Sequence, residues 1–169
     1  QSIVVANRGV ACGSMGAAEV ARSAPDGYSV LVDSLGHVVN PTLMRNLPFD
    51  YARAFTPVTQ ITRLAQVMIA PTSVPQATLE EFVAHARANP GRLSYGSSGN
   101  GTGAQLAGVL FTRAAGLDMV HVPYRGGSVA MQAVLSGDVV FAFATVNTAT
   151  QLIQDGRLRA YAVAGDARV

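Results

Sequence analysis

Between residues 93 and 157 one short pattern recurs three times. Residues 93–96 read as a short strand that leads through Ser97-Ser98-Gly99-Asn100-Gly101-Thr102 into a helical stretch over 103–115. Residues 119–122 lead through Pro123-Tyr124-Arg125-Gly126-Gly127 into a helix over 128–136. Residues 139–143 lead through Ala144-Thr145-Val146-Asn147 into a helix over 148–155, and 157–164 closes as a strand. Strands alternating with helices of about ten residues predict an α/β fold, a parallel sheet with helices on its faces. Right-handed crossovers bring every loop that follows a strand to one sheet edge. That edge is where open α/β sheets bind ligands.

Upstream the pattern is less regular. Residues 3–6 are a largely β-branched run, and 13–24 reads as a helix with Ala17, Ala18, Val20 and Ala21 on its packing face. Pro25-Asp26-Gly27 is a stop and turn. Residues 28–32 read as a second strand, opening into Asp33-Ser34-Leu35-Gly36-His37 and a short turn or helix at 38–45. Residues 55–61 and 65–70 also read as strands, ended by Pro71 and Pro75. Thr78 with Glu81 three residues later has the form of a capping box, opening a helix that buries Leu79, Phe82, Val83 and Ala86. A soft boundary at 64–65 separates residues 1–64, which have too few strands for a closed domain, from a nearly self-contained α/β lobe over 65–164. Residues 165–169 read as the start of a return crossing.

Composition narrows the function. Hydrophobic residues make up 49% of the chain and charged residues 13%, which describes a well-buried globular chain. A net charge of +2 with scattered basic residues gives no footprint for nucleic acid. The single cysteine, Cys12, precludes an internal disulfide, and His37, His85 and His121 share no metal-ligand spacing. No metal or cofactor is expected. Charges interrupt every apolar run before the ~20 residues of a membrane helix.

The glycine-rich turn carries the strongest chemical signal. Ser97, Ser98, Gly99, Asn100, Gly101, Thr102 and Gly103 offer small donors and no charge where a strand meets a helix start. First-turn amides have no intrahelical partner, and the helix dipole favours an anion there. Gly99-Asn100-Gly101-Thr102-Gly103-Ala104 also matches G-x-G-x-x-G/A in form, but the dinucleotide fingerprint wants an acid near the end of the next strand. That strand ends at Val122-Pro123-Tyr124, and Asp118 lies before it. A tight turn that only needs glycine's backbone freedom is the plainer alternative. In the second loop Tyr124, Arg125, Gly126 and Gly127 supply a cation, a ring and another helix start. The alternatives are a solvated arginine and a core tyrosine. Ala144 and Thr145 belong to the third loop, where Thr145 or Asn147 reads most simply as a helix cap. Ser34 and His37 end a strand of the first lobe, and a lone histidine in such a loop is more often structural. His121, inside a strand, reads as a satisfied core histidine. No G-x-S-x-G elbow and no paired carboxylates occur in these loops, which suits binding without turnover.

These stretches together resemble a known family. Val4-Val5-Ala6-Asn7-Arg8 with Gly13 and Gly16-Ala17, Ala24-Pro25-Asp26-Gly27-Tyr28, Leu93 to Gly101, His121-Val122-Pro123-Tyr124-Arg125-Gly126 and Leu158-Arg159-Ala160-Tyr161-Ala162-Val163 are similar, in order and spacing, to the Bug/TctC periplasmic solute receptors of tripartite tricarboxylate transporters. The resemblance implies a two-lobed fold like that of type II periplasmic binding proteins. It implies a small carboxylate held in the cleft by loop amides, hydroxyls and water, and delivery to membrane permease subunits. Residues 97–103 and 124–127 would then be ligand loops of the second lobe, with Ser34 and its neighbours contributing from the first. The family's first strand with its Gly-Gly-x-x-Asp loop, and its C-terminal segment, have no counterpart here, so the first lobe is expected to be incomplete. The family's common Phe-Asp reads Phe143-Ala144, which disfavours a ligand carrying an ammonium group. Two other readings stand beside this one. One is a nucleotide-binding α/β enzyme using the Gly99–Ala104 loop. The other is a non-binding piece stable only as a homo-oligomer through unpaired sheet edges.

Overall fold

The computed structural model describes residues 2–8 and 13–165. Cys12 and residues 166–169, where the return crossing was expected, lie outside the described residues. Contacts divide the chain into two units, residues 1–61 and residues 62–169.

In the second unit, short apolar runs bounded by proline or glycine become strands, and the stretches between them become helices. The order is β1 (Gln66–Pro71), α3 (Leu79–Ala88), β2 (Ser94–Ser97), α4 (Gly103–Ala114), β3 (Val120–Pro123), α5 (Gly127–Ser136), β4 (Phe141–Thr145), α6 (Val146–Gln154) and β5 (Leu158–Ala164). The capping box forms as expected: the Thr78 hydroxyl accepts from the Glu81 amide, and the Glu81 carboxylate accepts from the Thr78 amide.

The sheet order is β3-β2-β4-β1-β5. Strand β2 pairs parallel to β3 and β4, whereas β1 pairs antiparallel to both β4 and β5. The sheet is parallel-rich, as the alternation of strands and helices implies, with β1 its one reversed strand. Strand β1 ends and β2 begins at the same sheet edge, so the connection through α3 does not cross the sheet and imposes no parallel sense. The three repeated strand–helix units keep the parallel sense.

Both faces of the sheet are covered. Val67 and Ile69 of β1 pack with Met131, Val134 and Ala149 under α5 and α6. Met68 and Ala70 pack with Phe82, Ala86 and Ala104 under α3 and α4. Phe141 sits at the middle of this second layer, fully buried, stacked on Tyr95 at 5.1 Å and meeting Phe82 and Phe111 edge-on at 5.6 Å.

The third expected loop does not exist as a loop. Strand β4 runs through Ala144 to Thr145, and α6 starts at Val146. The Val146 amide donates to the Ala65 carbonyl, a contact that carries the chain directly from strand into helix.

The first unit holds α1 (Ser14–Ala21) and α2 (Gly36–Leu43). The strands expected at 3–6, 28–32 and 55–61 do not form: among the described residues this unit has no strand, and Val4, Tyr28 and Val58 are 91%, 87% and 85% exposed. Strand residues hold their conformation through a ladder, and no described segment pairs with these three. An aromatic group holds the unit instead. The His37 ring meets Tyr51 and Phe55 edge-on at 5.0 and 5.3 Å, Phe49 lies 4.6 Å from Tyr51, and the buried Asn40 side chain donates to the Tyr51 hydroxyl at 3.0 Å.

Phe141→Ala empties the centre of the α3/α4 layer. It is expected to destabilise the second unit by about 3–5 kcal/mol, read as a lower urea midpoint; a loss below about 1 kcal/mol would mean that this layer is not the core.

Candidate functional site

Register places the strand ends level. Ser97 pairs with Pro123 across β2–β3, and Gly96 with Ala142 across β2–β4. The turn 98–102, the turn 124–126 and the β4–α6 junction therefore share one sheet edge, and α4, α5 and α6 begin there. Each helix start carries about half a positive charge. No acidic side chain lies in residues 97–103, 123–128 or 144–148. Arg125 is exposed and makes no ion pair among the described residues.

The glycine turn is tied internally. Gly99 and Gly101 have φ of 124° and 75°, conformations that L side chains rarely adopt, so both positions require glycine. Ser97 is fully buried. Its Oγ accepts from the Gly99 amide at 3.2 Å, lies 3.2 Å from the Gly99 carbonyl and is 2.7 Å from His121 Nε2. The Thr102 hydroxyl donates to the same carbonyl at 2.7 Å and caps α4 by accepting from the Gln105 amide at 3.4 Å. Gln105 closes the turn: its Oε1 accepts from the Gly101 amide at 2.6 Å, and its Nε2 donates to Asn100 Oδ1 at 3.2 Å. The hydroxyls of Ser97 and Thr102 thus hold the turn. The amides of Ser98, Gly103 and Ala104 make no hydrogen bond among the described residues.

At the second helix start, Gly126 is the N-cap residue with no side-chain cap, which leaves the first-turn amides from Gly127 onward without one. Tyr124 turns inward. Its ring lies against Gly96, where an added Cβ would meet Cε2 at 3.3 Å, and it packs on the α5/α6 layer. At the third start Thr145 is the N-cap residue but makes no capping bond; its hydroxyl pairs with that of Thr148 at 3.0 Å. Ala144 and Thr145 are the last residues of β4, at the same edge.

Ser34 and His37 lie in the first unit, just before and within α2. The Ser34 amide donates to Asp33 Oδ1 at 2.7 Å, and His37 Nδ1 stands 3.5 Å from Asp33 Oδ2. His37 is engaged by this carboxylate and by the aromatic group of its own unit.

Two further residues shape the turn. Gln105 is legible in retrospect, because Thr102-x-x-Gln105 has the spacing of a capping box whose return bond lands one residue early, on Gly101. His121 becomes visible only through register. It stands opposite Tyr95, 5.1 Å ring to ring, and reaches diagonally to Ser97. Burial pushes the His121 pKa down, favouring the neutral ring, and pushes the Tyr95 hydroxyl up.

The chemistry of this edge is that of an anion cradle. Asp118 sits before β3, its carbonyl accepting from the Gly91 amide, at the end of the strand away from these turns. None of these turns carries an acid in the place where the dinucleotide fingerprint holds a ribose. Among the described residues no group of three or more His, Cys, Asp or Glu is arranged to hold a metal. A surface depression lined by Pro71, Thr72, Ser73, Leu135 and Arg157 lies at the opposite sheet edge and shares no residue with the turns.

Comparisons with known proteins agree on one family. The family model described as TctC, tripartite tricarboxylate transporter family receptor, matches residues 1–169. A Pseudomonas sp. (strain P51) protein, the UPF0065 protein in the tcbD-tcbE intergenic region, is 34% identical over 96% of this chain and 48% of its own length. Among solved structures, periplasmic binding protein BugD matches with TM-score 0.87 and 30% identity over 99% of this chain and 56% of its own. R. palustris Rpa4515 with adipate matches with TM-score 0.85 and 29% identity, covering 92% and 52%. MatC from Rhodopseudomonas palustris with bound malate matches with TM-score 0.81 and 28% identity, covering 94% and 54%. The chain spans about half the length of the curated relatives it matches.

Two outcomes follow from the turn. Thr102→Val removes a cap and a bond to Gly99, and is expected to cost about 1 kcal/mol of stability in urea unfolding, with Thr102→Ser close to the parent. His121, with its pKa below the ordinary value, stays neutral in the folded chain while the unfolded chain takes up a proton as pH falls below about 6.5. Its contribution is complete above that pH and is lost as pH falls through the folded value. Urea midpoints at pH 7.5 and pH 5 are therefore expected to differ less in His121→Gln than in the parent; an equal difference would show that His121 does not titrate in this way.

Proposed function

The chain belongs to the tripartite tricarboxylate transporter receptor family, and from that premise we propose that it captures a small carboxylate as part of a periplasmic solute receptor. One observation carries this reading: three helix starts share one sheet edge, with unengaged amides, neutral side chains, one exposed cation and no acid. Such an edge stabilises negative charge and offers no acid–base pair to turn a substrate over. Backbone amides donating to a carboxylate form charge-assisted bonds, which are stronger than neutral ones.

The roles divide within the turn. Ser98, Gly103 and Ala104 present amides, and Gly126 and Gly127 open the second amide group beside Arg125. Asn100 and Thr145 add polar side chains to the edge, while Ser97, Thr102 and Tyr124 set the shape. Adipate bound to Rpa4515 and malate bound to MatC favour a dicarboxylate. Delivery to the membrane subunits of a tripartite transporter completes the proposed role, which requires no cofactor and no reaction. Among the described residues no helix is long and apolar enough to cross a membrane.

Titration calorimetry of the intact protein with malate, adipate and a tricarboxylate is expected to give binding heat with at least one. Arg125→Gln is expected to weaken that binding by roughly tenfold through loss of a charged partner, with a smaller dependence on salt. Heat from a nucleotide and from none of the acids would return the Gly99–Ala104 loop to the nucleotide reading.

A further inference from the structure

The buried Ser97 hydroxyl makes three contacts with a single hydrogen. It accepts from the Gly99 amide at 3.2 Å, and it faces the Gly99 carbonyl at 3.2 Å and His121 Nε2 at 2.7 Å. A serine hydroxyl has one hydrogen to give and two lone pairs to receive with. If the imidazole nitrogen were the acceptor, the hydrogen would point to His121 and the Gly99 carbonyl would lose Ser97. If Nε2 carries a hydrogen, all three contacts are hydrogen bonds at once. Nε2–H and the Gly99 amide fill the two lone pairs of Oγ, and the Ser97 hydrogen goes to the Gly99 carbonyl. That carbonyl then has both lone pairs engaged, one by Ser97 and one by Thr102 at 2.7 Å.

We infer that His121 is a positioning residue for the ligand turn: as the Nε2–H tautomer it orients the Ser97 hydroxyl, which grips both polar groups of Gly99 and fixes the turn that presents the Ser98, Gly103 and Ala104 amides. Ser97 is fully buried, so water does not replace the histidine. Gly99 sits at φ 124°, a conformation with few local restraints, so the grip is what selects it. The neighbouring β2 contributes Tyr95, whose ring lies on the imidazole, and Ser97, and neither β2 nor the α4 start carries a charged side chain. The proposal rests on the reading that this edge binds a carboxylate, and it assigns a residue that touches no ligand.

The test uses the intact protein with His121→Phe, which keeps a ring and removes the donor, His121→Gln, whose amide restores one, and Ser97→Ala, which removes the hydroxyl with little change of volume. Three readouts apply: imidazole nitrogen shifts by NMR, exchange of the Gly99 amide, and calorimetric affinity for malate and adipate. The expected results are the Nε2–H tautomer, Gly99 exchange faster by about tenfold or more in the Phe and Ala variants, and affinity weaker by about tenfold in both, with the Gln variant within about threefold of the parent. An Nδ1–H tautomer, unchanged Gly99 exchange in Ser97→Ala, or a Gln variant as weak as the Phe variant would overturn the proposal. If the parent binds neither acid, the proposed function fails, while the tautomer and Gly99 exchange still decide the role of His121.

Discussion

The structure depends on a sheet buried on both faces. Strand β1 supplies Val67 and Ile69 to one layer and Met68 and Ala70 to the other, so no residue at its centre faces water. Its backbone groups must then find partners on both sides, and β4 and β5 provide them. This double pairing makes one continuous sheet from strands that are otherwise separated by helices. The one reversed strand is interior: β1 completes two ladders while the other four strands keep one sense.

Parallel sense has a chemical consequence. Because β2, β3 and β4 run the same way, their ends deliver three helix starts to one edge, each with unpaired amides. The turns differ in how much they fix themselves. The 98–102 turn is tied by Ser97, Thr102 and Gln105, whereas the α5 start has no side-chain cap and the α6 start is held by Thr148 on the Thr145 hydroxyl and carbonyl. An edge built this way has one tied turn and two simpler ones.

Local patterning made much of the second unit legible. Each of its helices lies within a few residues of where periodicity and caps put it, because signals such as Thr78 with Glu81 are contained in the chain itself. The reversal of β1 was not legible, since alternation records which faces are buried and not which way a neighbour runs. In the first unit, 3–6, 28–32 and 55–61 have strand composition without strand structure, because composition describes a residue's fitness for a ladder and cannot supply the partner. The site shows the same division. Gly99 and Gly101 announced a turn, but the engagement of the Ser97 and Thr102 hydroxyls could not be read from residue types that suit a ligand and a carbonyl equally well. His121 was hidden for a sharper reason: its partner lies 24 residues away and is reached only once β2 and β3 are in register.

The distribution of hydrogen bonds bears on how such a turn would select a ligand. Side-chain hydroxyls that contact a ligand directly are flexible donors that must be ordered on binding, at a cost in entropy. Here the hydroxyls of Ser97 and Thr102 are already committed to Gly99, and the backbone amides left over are fixed in direction by the turn and by α4. On the proposed reading, recognition would come from preorganised amides and not from mobile side chains. Such a surface discriminates by the position of negative charge, since amides aimed at one point reward a carboxylate there and nothing else. The length and substituents of the ligand would then be read elsewhere, by a group such as the exposed Arg125 on the next turn.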